Sequence, residues 1–214
     1  MPTGVMSRQP TKTEPAAGVA VIARVPSKDY DQIARIADMG AEGIMLPMVN
    51  NAAEARQILD CLKYIPDGKR GVALGVAHDN YTRTGVVADR LKAANKRTTL
   101  FCQIETAEGV ENADAMAALD GVDCLWVGHF DLSCSLGIPG EFGHKKFTSA
   151  IDKVVKATRK HGKALGRLVP NVETGVEYNK WGFDFICYSG DVWLLQSALS
   201  SGIEQLRKVC VAQK

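Results

Sequence analysis

The stretch LFCQIETAEGVENADAMAALDGVDCLWVGHFDLSCSLG, Leu100–Gly137, decides the fold predicted for this chain. It contains two short apolar runs, Leu100–Ile104 and Cys124–Gly128, separated by a segment of helical length. Glu105 directly follows the first run, and Asp131 comes three residues after the second. A strand, a helix and a strand in this order are typical of a parallel sheet. Because parallel strands end at the same edge of a sheet, the two carboxylates are expected to lie side by side.

Glu105 and Asp131 together predict a site for a hard divalent cation. Two carboxylates without a thiolate are the ligands that Mg²⁺ or Mn²⁺ prefers. A single carboxylate after a strand has another interpretation, since Asp131 followed by Leu and Ser is also typical of a helix N-cap. The occurrence of both carboxylates at equivalent positions of consecutive units favours the metal site over that alternative.

Composition and charge restrict the class of protein. The chain has 214 residues, of which 46% are hydrophobic, and a formal net charge of +2. This length predicts about one domain, and the small net charge gives no indication of binding to nucleic acid or to a membrane surface. No apolar run reaches the length of about 18 residues that a membrane span needs. The six scattered cysteines form no C-x-x-C pair, which favours free thiols in a reducing, cytoplasmic compartment.

The alternation of apolar runs and amphipathic segments predicts six βα units. Residues 1–18 are polar and rich in proline, and we interpret them as a loop or disordered lead-in to a single domain over residues 19–214. A helix is expected over roughly 109–119, and a short irregular strand over 72–78. Strands are predicted near 19–24, 43–48, 100–105, 124–128, 164–169 and 183–188.

Six parallel units are compatible with a doubly wound sheet or with a (β/α)₈ barrel. No Gly-x-Gly-x-x-Gly follows the first strand, which weakens the interpretation as a dinucleotide-binding sheet. Six units are also two short of a closed barrel, so a barrel of this chain alone would be incomplete.

Four ordered motifs resemble the HpcH/HpaI aldolase/citrate lyase family. The motifs are GIMLPMV at 43–49 with Ala-Glu-Ala at 53–55, YIPDGKRG at 64–71, QIET at 103–106, and GVD at 121–123 leading to GHFDLS at 128–133. The resemblance runs from about Val19 to the C-terminus and is closest to the class II pyruvate aldolases that act on 4-hydroxy-2-oxo acids. It implies an incomplete (β/α)₈ TIM-type barrel of the phosphoenolpyruvate/pyruvate superfamily.

The resemblance also implies an activity and a set of site residues. The expected reaction is cleavage of a 4-hydroxy-2-oxo acid to pyruvate and an aldehyde, with Mg²⁺, Mn²⁺ or Co²⁺ held by Glu105 and Asp131. Arg24, at the end of the first strand, is expected to bind the 2-oxo acid and to act in catalysis. The backbone amides of Gly128 and Phe130 are expected to bind the pyruvate carboxylate. The family further implies a homo-oligomer, a trimer or a hexamer.

The sequence departs from the family pattern in two places. The first two βα units of the family are missing, and with them a histidine that assists proton transfer. A truncated or mis-started gene product is expected, and the alternatives are an excised fragment or a barrel that is closed by a segment of a partner. In the turn before Asp131, His129 stands where many aldolases have proline. His129 is a candidate acid/base or substrate-orienting residue, and the alternative is a loop histidine that is hydrogen-bonded to backbone.

Two other functions remain open from the sequence. A catalytically impaired homologue would bind metal or oxo acid, or would only assemble with intact subunits, and the missing units favour this hypothesis. A citryl-CoA or malyl-CoA lyase would need a basic surface for the nucleotide near the site, and the sequence contains no cluster that demands one.

Overall fold

The structure is a computed structural model that describes residues 19–211. The chain divides between Leu165 and Gly166 into two compact units. The lead-in predicted over residues 1–18 lies outside the described residues. No helix in the described range is both long enough and apolar enough to cross a membrane.

The first unit is built on four parallel strands that pair in chain order. Its second and third strands are almost completely buried, which explains their continuous apolar sequences. Since all four strands run in the same direction, their carboxyl ends form one edge of the sheet. The strands are β1 (Ile22–Arg24), β2 (Gly43–Leu46), β3 (Thr99–Ile104) and β4 (Val122–Val127).

Seven helices connect and follow these strands. Asn51 caps the second helix, because its side chain accepts a hydrogen bond from the Glu54 N–H. The longest of these seven buries an apolar face that includes Ile151 and Val154. The helices are α1 (Tyr30–Asp38), α2 (Ala52–Leu62), α3 (Val87–Arg97), α4 (Ala107–Glu111), α5 (Ala113–Ala117), α6 (His129–Ser135) and α7 (Lys145–His161).

Two local predictions for this unit are wrong. The single helix expected over 109–119 is divided into α4 and α5 at Asn112, whose amide donates to the carbonyl oxygens of Asn50 and Glu108. The strand expected over 72–78 does not form. A 3₁₀ turn at Ala77–Asp79 takes its place, because Asn80 adopts the left-handed conformation and ends the turn.

The second unit contains a parallel strand pair and two helices. Strand β5 (Ala164–Val169), which begins at the end of the first unit, pairs with β6 (Phe185–Tyr188) in a register that places Val169 beside Tyr188. Helix α8 (Val172–Trp181) lies between the two strands in sequence, and α9 (Asp191–Val211) follows β6. The side chains of α9 are exposed from residue 191 to residue 210, including a row of apolar residues.

The predicted α/β class is confirmed, as are the six strands within residues 19–211, each paired in parallel with a neighbour. All six cysteines are free thiols, and burial raises the pKa of Cys102 to about 12. The thiol of Cys102 is therefore neutral at physiological pH and contributes to the apolar core. Closure of the strands into a barrel stays a prediction.

Candidate functional site

Glu105 and Gly128 meet where β3 and β4 end. The register of the two strands places Ile104 beside Val127, and the Gly128 N–H donates to the Ile104 carbonyl at 3.1 Å. A Cβ atom at Gly128 would lie 2.5 Å from Cγ and 2.6 Å from Oε1 of Glu105. Only glycine allows this approach, so Gly128 provides the space in which the Glu105 side chain lies.

Glu105 is 4% exposed, and its carboxylate accepts hydrogen bonds from two directions. The Met48 N–H donates to Oε2 at 2.7 Å, and the Gln103 Nε2 donates to Oε1 at 3.2 Å. Burial raises the pKa of Glu105, and the charge of Asp131 and a hydrogen bond with its carboxyl group raise it further, while the Met48 N–H and Arg24 act in the opposite direction. The structure therefore brings Glu105 and Asp131 close together, as their positions after neighbouring strands predict.

Asp131 lies in the first turn of α6, with its side chain exposed. The alternative prediction that Asp131 is the N-cap of a helix is wrong, because the N-cap of α6 is Gly128. A carboxylate in the first turn is favoured by the partial positive charge of a helix N-terminus. The helix thus directs an exposed carboxylate toward the buried one at the same edge of the sheet.

Arg24 ends β1 and reaches the two carboxylates through Gln103. Its Nε donates to the Gln103 Oε1 at 3.1 Å, and Gln103 in turn donates to Glu105. Gln103 is 6% exposed and lies two residues before Glu105, so both side chains project from the same face of the chain. The result is a chain of hydrogen bonds that fixes a guanidinium group beside the carboxylate pair.

Met48 donates its backbone N–H to Glu105 from an unusual backbone conformation. Its φ is +54°, a backbone angle that residues other than glycine rarely adopt. The Lys28 ammonium stabilises this turn, since it donates to the Met48 carbonyl at 2.6 Å and to Glu54 at 2.5 Å. Backbone strain of this kind persists where the surroundings hold it, and it is common at functional sites.

His129 and Phe130 begin α6 next to Asp131. The His129 ring is half-buried, with its centroid 4.5 Å from that of Phe130 and 5.2 Å from that of Phe142. Phe130 itself is 63% exposed. The structure thus places the predicted residues Glu105, Gly128, His129, Phe130 and Asp131 at one edge, with Arg24 joined to them through Gln103.

Sequence reasoning missed two residues of this site. Gln103 carried a signal, because a polar side chain inside an apolar strand two positions before Glu105 must have a partner on the same face. No sequence pattern indicates the role of Met48, since this residue contributes its backbone N–H and does so from a left-handed conformation. His78, in the 3₁₀ turn, is buried and contacts the Tyr64 hydroxyl at 3.1 Å and the Ala73 carbonyl at 2.6 Å.

Comparison with known proteins identifies the family of the chain. The model of the HpcH/HpaI aldolase/citrate lyase family matches residues 7–198. The chain belongs to this family. Membership of this family supports an activity of the carbon–carbon lyase class.

Individual relatives extend the comparison. The chain is 35% identical over 207 residues to a hydroxypyruvate/pyruvate aldolase of Chromohalobacter salexigens, covering 97% of this chain and 80% of the relative. It is 34% identical to a 5-keto-4-deoxy-D-glucarate aldolase of Shigella boydii, covering 88% of this chain and 72% of the relative. The crystal structure of an HpcH/HpaI aldolase from Desulfitobacterium hafniense superposes with a TM-score of 0.83 at 31% identity, covering 89% of this chain and 73% of that one.

Proposed function

We propose that the chain cleaves a 4-hydroxy-2-oxo acid to pyruvate and an aldehyde with the help of a divalent metal ion. The observation that carries this proposal is that Glu105 and Asp131 lie close together at one edge of the sheet, with the guanidinium of Arg24 joined to Glu105 through Gln103. Membership of a family of aldolases and citrate lyases supports the same class of reaction.

The carboxylate pair fits a divalent cation. Two carboxylates that lie close together repel each other unless one keeps a proton or a cation lies between them, and the charge of Asp131 adds to the effect of burial in raising the pKa of Glu105. No group of three or more His, Cys, Asp or Glu side chains that could hold a metal occurs in residues 19–211. Mg²⁺ is nevertheless often bound by one or two carboxylates, with substrate and water oxygens completing its shell. Glu105 and Asp131 would hold the ion.

The chemistry requires an acceptor for negative charge. When the bond between C3 and C4 breaks, its electron pair passes to the pyruvate half as an enolate, and the C4 hydroxyl loses its proton. A divalent ion, when bound, supplies a Lewis acid for the negative charge that develops on the oxo acid. Arg24 adds a fixed positive charge at the same edge, preorganised by its hydrogen bond to Gln103.

Two further roles complete the proposal. The backbone amides of Gly128 and Phe130, at the N-terminus of α6, bind the carboxylate of the oxo acid, which suits the partial positive charge of a helix N-terminus. His129 takes the proton of the C4 hydroxyl, since an imidazole ordinarily changes its protonation state close to neutral pH.

Pyruvate release from a panel of 4-hydroxy-2-oxo acids tests the proposal. The purified chain is expected to release pyruvate with Mg²⁺, Mn²⁺ or Co²⁺, to stop with EDTA, and to recover when the metal is added back. Release that EDTA does not affect would contradict the metal-dependent reaction. A folded chain that binds the metal and releases no pyruvate would instead be the impaired homologue that the sequence left open.

Gly128→Ala is expected to lower kcat/KM for pyruvate release between about tenfold and a hundredfold. The new Cβ would overlap the Glu105 side chain, whose Cγ lies 2.5 Å from its position, and a displacement of about 1 Å in an active site has effects of this size. Gly143→Ala is the matched control, because a Cβ there meets no atom within 4 Å. Equal loss of activity in both variants would contradict the role of Gly128.

We also propose that the chain forms a homo-oligomer through α9. Val192, Leu195, Leu199, Ile203 and Leu206 recur at intervals of three or four residues and are all exposed, so they form one apolar face. Apolar patches of this kind mark interaction surfaces on soluble proteins. A second copy of the same chain is the occupant that the family resemblance favours.

Leu199→Lys is expected to lower the molar mass measured by light scattering, because a charge on the apolar face of α9 opposes association. Ser201→Lys adds the same charge about half a helical turn away on α9 and is expected to keep the mass of the wild-type chain. A wild-type chain that is a monomer, or a Leu199→Lys variant of unchanged mass, would contradict this interface.

A further inference from the structure

The first turn of α6 belongs to a cluster of aromatic rings that reaches from the core to the surface. Phe147 is fully buried, and the centroid of its ring lies 5.4 Å from that of Phe142. Phe142 is half-buried, and its ring meets Phe130 edge to face at 5.3 Å and an interplanar angle of 73°. His129 contacts both Phe130 and Phe142. These spacings are the ones that aromatic pairs prefer.

Phe130 is the exposed end of this cluster, with 63% of its surface accessible. An isolated exposed phenylalanine needs no explanation. Phe130 differs because two neighbouring rings fix its orientation and one of them, Phe142, is anchored on the buried Phe147. A ring that is held in one orientation while most of its surface is exposed can bind an apolar ligand.

The position of the cluster relates it to the proposed reaction. Phe130 directly precedes Asp131, and both lie in the first turn of α6. Arg24 and the cation that Glu105 and Asp131 would hold are positively charged and are suited to the oxygens of the pyruvate half. The aldehyde half, which begins at C4, needs a different environment, and the adjoining surface is aromatic.

We propose that Phe130, supported by His129 and Phe142, forms the subsite for the aldehyde half, and that the substrates are 4-hydroxy-2-oxo acids with an aryl or other flat apolar group at C4. The proposal rests on the proposed function and deepens it. A polyhydroxylated aldehyde half would need several hydrogen-bond partners, whereas this cluster offers rings and a single imidazole. An aryl group meets the exposed ring of Phe130 by stacking or edge-to-face contact.

The substrate class is tested by comparing two compounds that share the pyruvate half. Pyruvate release is measured from 4-hydroxy-2-oxo-4-phenylbutanoate and from 4,5-dihydroxy-2-oxopentanoate, and the ratio of their kcat/KM values is the readout. This ratio cancels effects that are common to both substrates, such as a change in metal occupancy. The wild-type chain is expected to favour the phenyl compound by about tenfold or more.

Two variants assign the preference to the ring. Phe130→Leu keeps an apolar side chain but removes the ring, and the ratio is expected to fall about fivefold, which is the size of one aromatic contact. Phe130→Tyr keeps the ring and is expected to keep the ratio. A wild-type chain without a preference for the phenyl compound, or a Phe130→Leu variant with an unchanged ratio, would overturn the proposal.

A binding measurement separates this proposal from the proposed function. Saturation-transfer NMR with benzyl alcohol, in the presence of EDTA, is expected to show contact with the wild-type chain and with Phe130→Tyr, and a weaker signal with Phe130→Leu. If no substrate releases pyruvate but this pattern is found, the proposed reaction fails while the aromatic subsite stands. If pyruvate is released but the signal does not depend on residue 130, the subsite fails while the reaction stands.

Discussion

Glu105→Gln and Asp131→Asn are each expected to lower metal-dependent pyruvate release by about a thousandfold or more. The two carboxylates lie close together at the edge where β3 and β4 end, and each substitution removes one of the two negative charges that would hold the cation. A Lewis acid contributes several kcal/mol to a reaction of this type, and about 4 kcal/mol corresponds to a thousandfold in rate. Initial rates at saturating Mg²⁺ measure the effect.

Metal binding distinguishes this explanation from a general loss of structure. Titration with Mn²⁺, followed by electron paramagnetic resonance, is expected to show weaker binding by both variants. Asp114→Asn is the matched control, because Asp114 is an exposed carboxylate paired with Lys160 and His161 on another part of the first unit. Wild-type Mn²⁺ affinity and activity in Glu105→Gln would refute the metal site.

Arg24→Ala is expected to lower kcat about a hundredfold while it leaves the affinity for Mn²⁺ nearly unchanged. The guanidinium donates to Gln103 and not to the carboxylate oxygens, so its removal leaves both proposed metal ligands in place. Removing a preorganised donor from such a site commonly lowers kcat between a hundredfold and a thousandfold. Steady-state kinetics together with the Mn²⁺ titration separate the two effects.

Two other variants show whether charge or geometry is responsible. Arg24→Lys keeps the charge but loses the planar donor group, so an intermediate rate is expected. Arg35→Ala removes an exposed arginine from the last turn of α1 and is expected to behave as wild type. An Arg24→Ala variant that turns over as fast as wild type would contradict the proposed role of Arg24.

The proximity of the two carboxylates could be predicted because it follows from the parallel direction of the strands that precede them. Once the runs before Glu105 and Asp131 are recognised as parallel strands, the strand ends must share an edge, whatever the rest of the chain does. The same reasoning predicted six strands with parallel neighbours, and the structure contains them in residues 19–211. The metal itself and the substrate do not follow from this reasoning and stay proposals.

The supporting contacts could not be predicted because they depend on distances between segments remote in sequence. The positive φ of Met48 follows from no pattern in the sequence, yet it supplies the N–H that holds Glu105. The close approach at Gly128 is likewise visible only when the Glu105 side chain is placed. The prediction of a strand over 72–78 failed because periodicity does not account for Gly75 and Asn80, which both adopt positive φ.

The most direct test of the account is hydrogen exchange at C3 of pyruvate, followed by proton NMR in D₂O. A site that stabilises the pyruvate enolate must exchange these hydrogens without any aldehyde present. The account predicts that the wild-type chain with Mg²⁺ exchanges the methyl protons and that EDTA stops the exchange. The Glu105→Gln variant with Mg²⁺ is expected to leave the methyl protons unexchanged. A folded, metal-binding chain that leaves the methyl protons unexchanged would contradict the central claim.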